Sequence, residues 1–421
     1  MKLSEIKDLV HIGTPNPPYG VRALARCFDI DDLAKLARKR LPKAALGYLD
    51  GGGEGEWTLR RNRDTFGEIE LVPRQLADVS GVDTETTVLG TRVPLPIALP
   101  PVGGPRLFHH EGELAVARAA RHARLPYGIS TLATQPLEAI AEAAQGSPLW
   151  FQLFAWGDRS MSRELLRRAR DAGYQVLLLS ADTTVRSKRE RELRHGIELP
   201  TPDLTVRTVL DGALHPSWSW HFLTSSAIGF PNLSMSGLGE REQMHQMFDG
   251  TTSLQDLEWM RQEWDGPIAV KGVLHAEKAR EAADRGADAV IVSNHGGRQM
   301  DHVPATLEVL PDVVEAVGDR AEVLIDSGIR RGSDILTALS LGARAVLVGR
   351  AHLYGLAAAG EAGVRHAIDI LGGELRMAMA LCGARNLGDL DRSMLRVSGP
   401  PRLGQSESAE ASLRGVGSTS W

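Results

Sequence analysis

Cysteine is almost absent from this sequence: Cys27 and Cys382 are the only two in 421 residues. Two thiols cannot build a disulfide framework or a thiolate metal centre, and a reducing cytoplasm is the expected compartment. Aromatics make up 5 % of the chain. Glycine and alanine are abundant instead, which suits close packing of helices on a sheet. Basic charge is not in excess either: 48 Lys and Arg against 53 Asp and Glu leave a net charge of −5. With a pI near 6.2, the chain offers no electrostatic footprint for nucleic acid. No apolar run is long enough to span a bilayer, and the N-terminus lacks the charged-then-apolar pattern of a secretory signal. A Gly-x-Gly-x-x-Gly turn is missing as well, which weighs against an open, doubly wound dinucleotide fold.

What is present is a rhythm. The length allows one large α/β barrel or two to three ordinary domains, and 43 % hydrophobic with 24 % charged residues is the balance of a soluble globular protein. In the first 95 residues helical stretches dominate. One runs from Ile30 to Arg40; a second begins after Pro42 and ends at Gly51-Gly52-Gly53. From residue 96 short apolar runs recur at 96–100, 126–130, 148–153, 175–180, 267–271, 288–293, 322–326 and 345–349. Amphipathic stretches such as Glu113–Ala123, Arg163–Ala172, Ala276–Arg285, Ser333–Leu341 and Gly363–Leu371 separate or follow them. Eight buried strands alternating with helices predict a (β/α)8 TIM barrel over 96–395, behind an N-terminal helical segment of 1–95. The rhythm breaks after the fourth strand, where about 195–252 form a long insertion. Its aromatic centre, 215–223, reads as a lid over the barrel mouth or as a surface for membrane or partner contact. From 396 a Gly-, Ser- and Pro-rich tail without periodicity is expected to be flexible.

A barrel of this kind carries its active site at the C-terminal ends of its strands. Polar residues cluster there: Gln152, Ser180 with Asp182, Lys271, Ser293 with His295 and Arg298, Asp326, and Arg350. In Ser293-Asn294-His295-Gly296-Gly297-Arg298-Gln299 a base and a guanidinium stand three apart across two glycines, able to face one ligand. Histidine accepts a proton near neutral pH, and the planar fork of arginine fits a carboxylate. A structural histidine in a Gly-rich turn is the bland alternative; a metal site is disfavoured, since no partner ligand stands at recognisable spacing. Asp182 is placed to orient His295, unless it is a turn or helix-cap aspartate. Arg189 lies in the charged run 186–192, and most such runs are solvated faces. After strands seven and eight, Asp326-Ser327-Gly328-Ile329-Arg330 and Gly349-Arg350 carry the glycines and arginines of a phosphate site. Lys271 reads as a Schiff-base lysine, a cation beside an anionic ring, or half of a buried ion pair.

These residues resemble the FMN-dependent 2-hydroxy-acid oxidases and dehydrogenases, which include glycolate and lactate oxidases, mandelate dehydrogenase and lactate-oxidising flavocytochromes. The resemblance runs from about residue 27 to 395, and SNHGGRQ at 293–299 is its most specific element. It implies FMN as cofactor, His295 as the base supported by Asp182, and Arg298, Arg189 and Tyr48 as ligands of the substrate carboxylate. It also implies Pro101, Val102 and Gly103 beside the reactive ring edge, and Ser130, Gln152, Ser180 and Lys271 on the isoalloxazine, with Ser293 also among the cofactor residues. Asp326, Gly328, Arg330, Gly349 and Arg350 then fall on the ribityl and phosphate site. One departure concerns the substrate. Phe154 stands where the family usually has tyrosine, a lost hydrogen bond of about 0.5–1.5 kcal/mol. The stretch 206–211, the aromatic insert and Gly103 are similar to quinone-linked L-lactate dehydrogenases, whereas oxidases more often carry alanine at the position of Gly103. The reading is therefore oxidation of an (S)-2-hydroxy acid, lactate- or mandelate-like, to the 2-oxo acid, with electrons passing to FMN and then to a quinone or other acceptor. An oxygen-reducing oxidase on a bulkier aromatic acid and a non-redox barrel lyase or isomerase on a phosphorylated substrate are the alternatives. A homotetramer is implied by the resemblance alone, and a cytoplasmic location with the 215–223 insert at a membrane surface completes the expectation.

Overall fold

The computed structural model describes residues 19–156, 159–196, 205–233, 242, 247 and 250–397. The expected tail from 396 therefore falls almost wholly outside the described residues, as does part of the insertion.

Eight parallel strands form the barrel: β1 (Ile97–Ala98), β2 (Tyr127–Ser130), β3 (Leu149–Leu153), β4 (Val176–Ser180), β5 (Ile268–Val273), β6 (Ala289–Val292), β7 (Glu322–Ile325) and β8 (Ala345–Leu347). Each coincides with one of the apolar runs. β8 pairs with β1 through Val346 and Ile97, and a parallel bridge from Leu99 to Tyr127 joins β1 to β2, so the sheet returns on itself. Burial explains the continuous apolar strand pattern: β2, β3, β4, β6 and β8 are buried at every position, as sheets covered on both faces must be. The helix Glu113–Ala123 has the expected bounds, with Ala115, Val116, Ala119 and Ala120 turned to the sheet.

The N-terminal segment packs across the top of this barrel rather than forming a separate layer. The Ile30–Arg40 helix starts at Asp29, whose carboxylate accepts the N–H of Asp32, and buries Ile30, Leu33, Ala34 and Ala37 against the last helix. The Lys43–Asp50 helix ends at Gly51, as the glycine run predicts. The Trp57–Gly67 helix lies so close to the Gly296-Gly297 turn that a Cβ on Gly297 would stand 2.6 Å from the Leu59 nitrogen.

The closing helix differs from its expectation. Periodicity marks only Gly363–Leu371, whereas helix runs from Gly349 to Cys382, broken by non-helical backbone at Ala359 and Gly360. The break folds its two halves together until Gly355 and Gly363 touch, a tertiary contact with no signature in local periodicity. A Cβ on Gly363 would lie 1.9 Å from the Gly355 carbonyl oxygen.

The insertion after β4 begins with the short helix Glu190–Arg194 and continues as two helices, Val206–Ala213 and Pro216–Thr224. The second is tied to the barrel where the Trp218 indole donates to the Leu107 carbonyl (2.9 Å) and His221 stacks on His110 with centroids 4.1 Å apart. Six apolar side chains of the two helices and the link between them, Val206, Val209, Leu210, Leu214, Trp220 and Leu223, are 59–79 % exposed. No helix among the described residues is long and apolar enough to cross a membrane.

The Gly355–Gly363 contact makes a prediction. Gly363→Ala should lose about 1–3 kcal/mol to overpacking, seen as a lower denaturation midpoint; an unchanged midpoint would refute the close approach.

Candidate active site

The C-terminal ends of the strands and the loops after them converge on one pocket. Tyr48, Pro101, Val102, Gly103, Ser130, Gln152, Phe154, Ser180, Arg189, Lys271, His295, Arg298, Asp326, Gly328, Arg330, Gly349 and Arg350 all line it. Asp182 and Ser293 stand behind its wall.

The wall is shaped by backbone that few residues adopt. His295, Gly296 and Gly297 follow β6 with φ of +57°, +68° and +72°. Left-handed backbone at a histidine costs about 1–3 kcal/mol, here held in place by Asn294, whose side-chain oxygen accepts the Gly297 N–H at 3.0 Å. The turn aims the imidazole at Asp182, with Nδ1 3.1 and 3.2 Å from the two carboxylate oxygens. Asp182 reaches it only because Gly272, at φ +102°, sits in an irregular step of the β5–β6 ladder; a Cβ there would lie 2.5 Å from the Asp182 carboxyl carbon. Burial pushes the His295 pKa down, and Asp182 partly opposes it. Burial likewise disfavours the Asp182 carboxylate, but His295 and Lys271 outweigh this and hold its pKa below the usual range. The resting pair is thus a neutral imidazole donating from Nδ1 to an ionised carboxylate, leaving Nε2 as an acceptor.

Two guanidiniums face this base. Arg298 donates from Nη1 to the carbonyls of Tyr48 (2.7 Å) and Gly51 (3.0 Å), and its charge lies over the Tyr48 ring at 4.7 Å. Arg189 is not a solvated member of a charged run: it donates to Ser187 Oγ (3.2 Å), the Arg298 carbonyl (3.2 Å) and Gln299 Oε1 (3.1 Å). Burial, then the charge of Arg298, lowers its pKa to about 10. Tyr48 donates its hydroxyl to the Gly103 carbonyl at 3.1 Å. Sequence reasoning passed over Glu192, whose carboxylate bonds Arg298 Nη2 at 2.7 Å. Its signal was present, since it stands three residues after Arg189, one helical turn away.

On the opposite side Lys271 is buried, with Nζ 2.8 Å from Ser293 Oγ and 3.0 Å from Asp326 Oδ2. Desolvation works against its charge, but Asp326 and Asp182 prevail and raise its pKa, so it is a fixed cation. Ser293 was expected among the cofactor residues. It is fully buried and acts from behind, accepting from Lys271 and from the His295 N–H (3.1 Å). Gln152 accepts from Ser130 through Oε1 at 2.9 Å, while its buried Nε2 has no partner among the described residues. A buried amide donor aimed into a pocket calls for an acceptor, and a flavin ring carbonyl is of that kind. Arg350 directs its donors to the carbonyls of Leu49, Gly51 and Gly296 at 2.7–2.9 Å; burial lowers its pKa to about 10. The residues present therefore fit FMN: donors and a cation for the ring, glycines and arginines at a helix start for the phosphate.

The sequence profile of the FMN-dependent dehydrogenases matches residues 37–397. The L-lactate dehydrogenase of Caulobacter vibrioides (strain NA1000 / CB15N) is 41 % identical over 374 residues, covering 86 % of this chain and 96 % of that one. That of Vibrio cholerae serotype O1 (strain M66-2) is 39 % identical, covering 86 % and 97 %. Among solved structures, the monotopic membrane protein (S)-mandelate dehydrogenase superposes with a TM-score of 0.84 at 38 % identity, over 88 % of this chain and all of the other. The chain belongs to the FMN-dependent dehydrogenases, and it is a TIM-barrel flavoenzyme that oxidises 2-hydroxy acids.

Proposed function

We infer that the pocket binds an (S)-2-hydroxy acid with its carboxylate at Arg189, Arg298 and the Tyr48 hydroxyl, and its reacting carbon beside His295. The observation that carries this is one pocket holding a base backed by a half-buried carboxylate and two half-buried guanidiniums. His295 Nε2 takes the proton that leaves the substrate. Asp182 stabilises the imidazolium that results and keeps the ring turned to the pocket. The chemistry that bound FMN would supply is acceptance of the two electrons together with the second hydrogen of the alcohol. Ser130, Gln152, Ser180, Lys271 and the segment Pro101-Val102-Gly103 would hold its ring, and Asp326, Gly328, Arg330, Gly349 and Arg350 its ribityl phosphate. Phe154 leaves the wall apolar beside Phe108, Leu132 and Val102, which suits substituents from the methyl of lactate to the phenyl of mandelate.

The two insertion helices are proposed to rest on a membrane surface and the acceptor to be a quinone. Their six exposed apolar side chains form a bare face, and the hairpin is anchored at Leu107 and His110, on the loop that also carries Pro101, Val102 and Gly103. A homotetramer is proposed from the family resemblance; a monomeric mass in light scattering would overturn it.

His295→Gln should keep the protein yellow and cut the rate of flavin reduction by hydroxy acid 10²–10⁴-fold; retained reduction would remove His295 as the base. Because burial depresses its pKa, kcat/KM should fall toward acid only below about 6.5 and be level at neutral pH. Asp182→Asn removes the group that raises that pKa, so it should move the acid limb to still lower pH. Replacing Trp220 and Leu223 together by serine should release the enzyme from vesicles and slow quinone reduction without slowing reduction of a soluble dye; undiminished vesicle binding would refute the proposed surface.

A further inference from the structure

Glu192 has no part in the chemistry above, yet it lines the same pocket and its carboxylate faces the two arginines assigned to the substrate's. It lies on the Glu190–Arg194 helix at the start of the insertion and is 5 % exposed. One oxygen is 2.7 Å from Arg298 Nη2 and the other 3.8 Å from Arg189 Nη1. A carboxylate taken out of water needs such partners, and here the partners are the two cations reserved for the acid. Other donors of both are fixed by the fold: Arg298 Nη1 by the Tyr48 and Gly51 carbonyls, Arg189 Nε and Nη2 by Ser187, the Arg298 carbonyl and Gln299. Glu192 and an incoming carboxylate therefore compete for the positive charge of the same two guanidiniums.

We propose that Glu192 is an internal competitor for the substrate carboxylate, a residue that sets the affinity of the site for the acid and for its 2-oxo product. This rests on the assignment of Arg189 and Arg298 as the carboxylate clamp. With Glu192 the clamp carries a net charge of one, which a single carboxylate neutralises; without it two buried positive charges would hold that carboxylate harder. Acid and product share the group that Glu192 opposes, so it weakens both equally. Such uniform weakening raises KM and hastens product release without altering the barrier of the chemical step. Glu192 also keeps two like charges aligned in one geometry, which is why a carboxylate rather than an apolar side chain stands there.

The test uses the flavin-loaded full chain, Glu192→Gln and Glu192→Asp. Pyruvate and phenylglyoxylate are titrated against the flavin absorption spectrum, and KM and kcat are measured with a dye acceptor. Glu192→Gln should bind both 2-oxo acids at least tenfold more tightly and lower KM in the same sense, with kcat unchanged or reduced as product leaves more slowly. A residue that merely holds the loop in place predicts the opposite, weaker binding, and equal or weaker binding in Glu192→Gln overturns the proposal. Glu192→Asp keeps the charge but draws it back from the guanidiniums. It should bind at least twofold more tightly, and it decides by the same criterion if the glutamine variant fails to load flavin. Should no hydroxy acid bleach the wild-type flavin, the assignment of the reaction falls, while the comparison of 2-oxo-acid affinities still decides the role of Glu192.

Discussion

Four cations, Arg189, Lys271, Arg298 and Arg350, crowd the mouth of one barrel, and the rest of the site follows from keeping them there. Like charges in a poorly solvated pocket repel strongly, and the lowered pKa values of Arg189 and Arg350 register first their desolvation and then the charge of Arg298. The fold answers with two kinds of counter-charge. Carboxylates serve three of the four: Asp326 pairs with Lys271, and Glu192 with Arg298 and, at 3.8 Å, with Arg189. For Arg298 and Arg350 backbone carbonyls do most of the rest, and these come largely from a single place.

That place is the C-terminus of the Lys43–Asp50 helix. A helix ends with carbonyls that have no partner in the next turn and with the negative end of its dipole. Those of Tyr48 and Leu49, with Gly51 just beyond, accept from Arg298 and Arg350. The N-terminal segment is therefore part of the site. It satisfies two buried guanidiniums without adding a full negative charge, so their positive charge is still felt by anions entering the pocket. A flavin phosphate and a substrate carboxylate are anions of that kind, and binding them relieves the repulsion that the fold has arranged.

The same distinction explains what was legible in the sequence. All eight strands could be read because they are buried almost throughout, which leaves short, largely apolar runs. His295 and Arg298 could be read because their spacing across two glycines is itself local. Features made by tertiary contact could not. The last helix extends far beyond its periodic core, since Gly355 and Gly363 interlock across a break. Ser293 adjoins the motif in sequence but lies behind the wall, where it supports Lys271 and His295. The run 186–192 has the composition of a solvated face, yet the fold turns Arg189 and Glu192 inward and leaves Lys188 exposed. Charge alone does not say which way a residue points; the i, i+3 spacing of Arg189 and Glu192 was the only local hint.

Two walls of the pocket thus divide the work. On the proposed assignment the charged wall is the part that meets what every 2-hydroxy acid shares, a carboxylate beside an oxidisable carbon, and its members are held by several hydrogen bonds each. The apolar wall, with Phe108, Leu132 and Phe154, meets the part in which such acids differ. The hydroxyl missing at Phe154 belongs to that second wall. A site built this way can change its preferred acid by repacking a few apolar side chains. A new reaction would require moving buried charges that the barrel, the Lys43–Asp50 helix and the insertion all hold in place together.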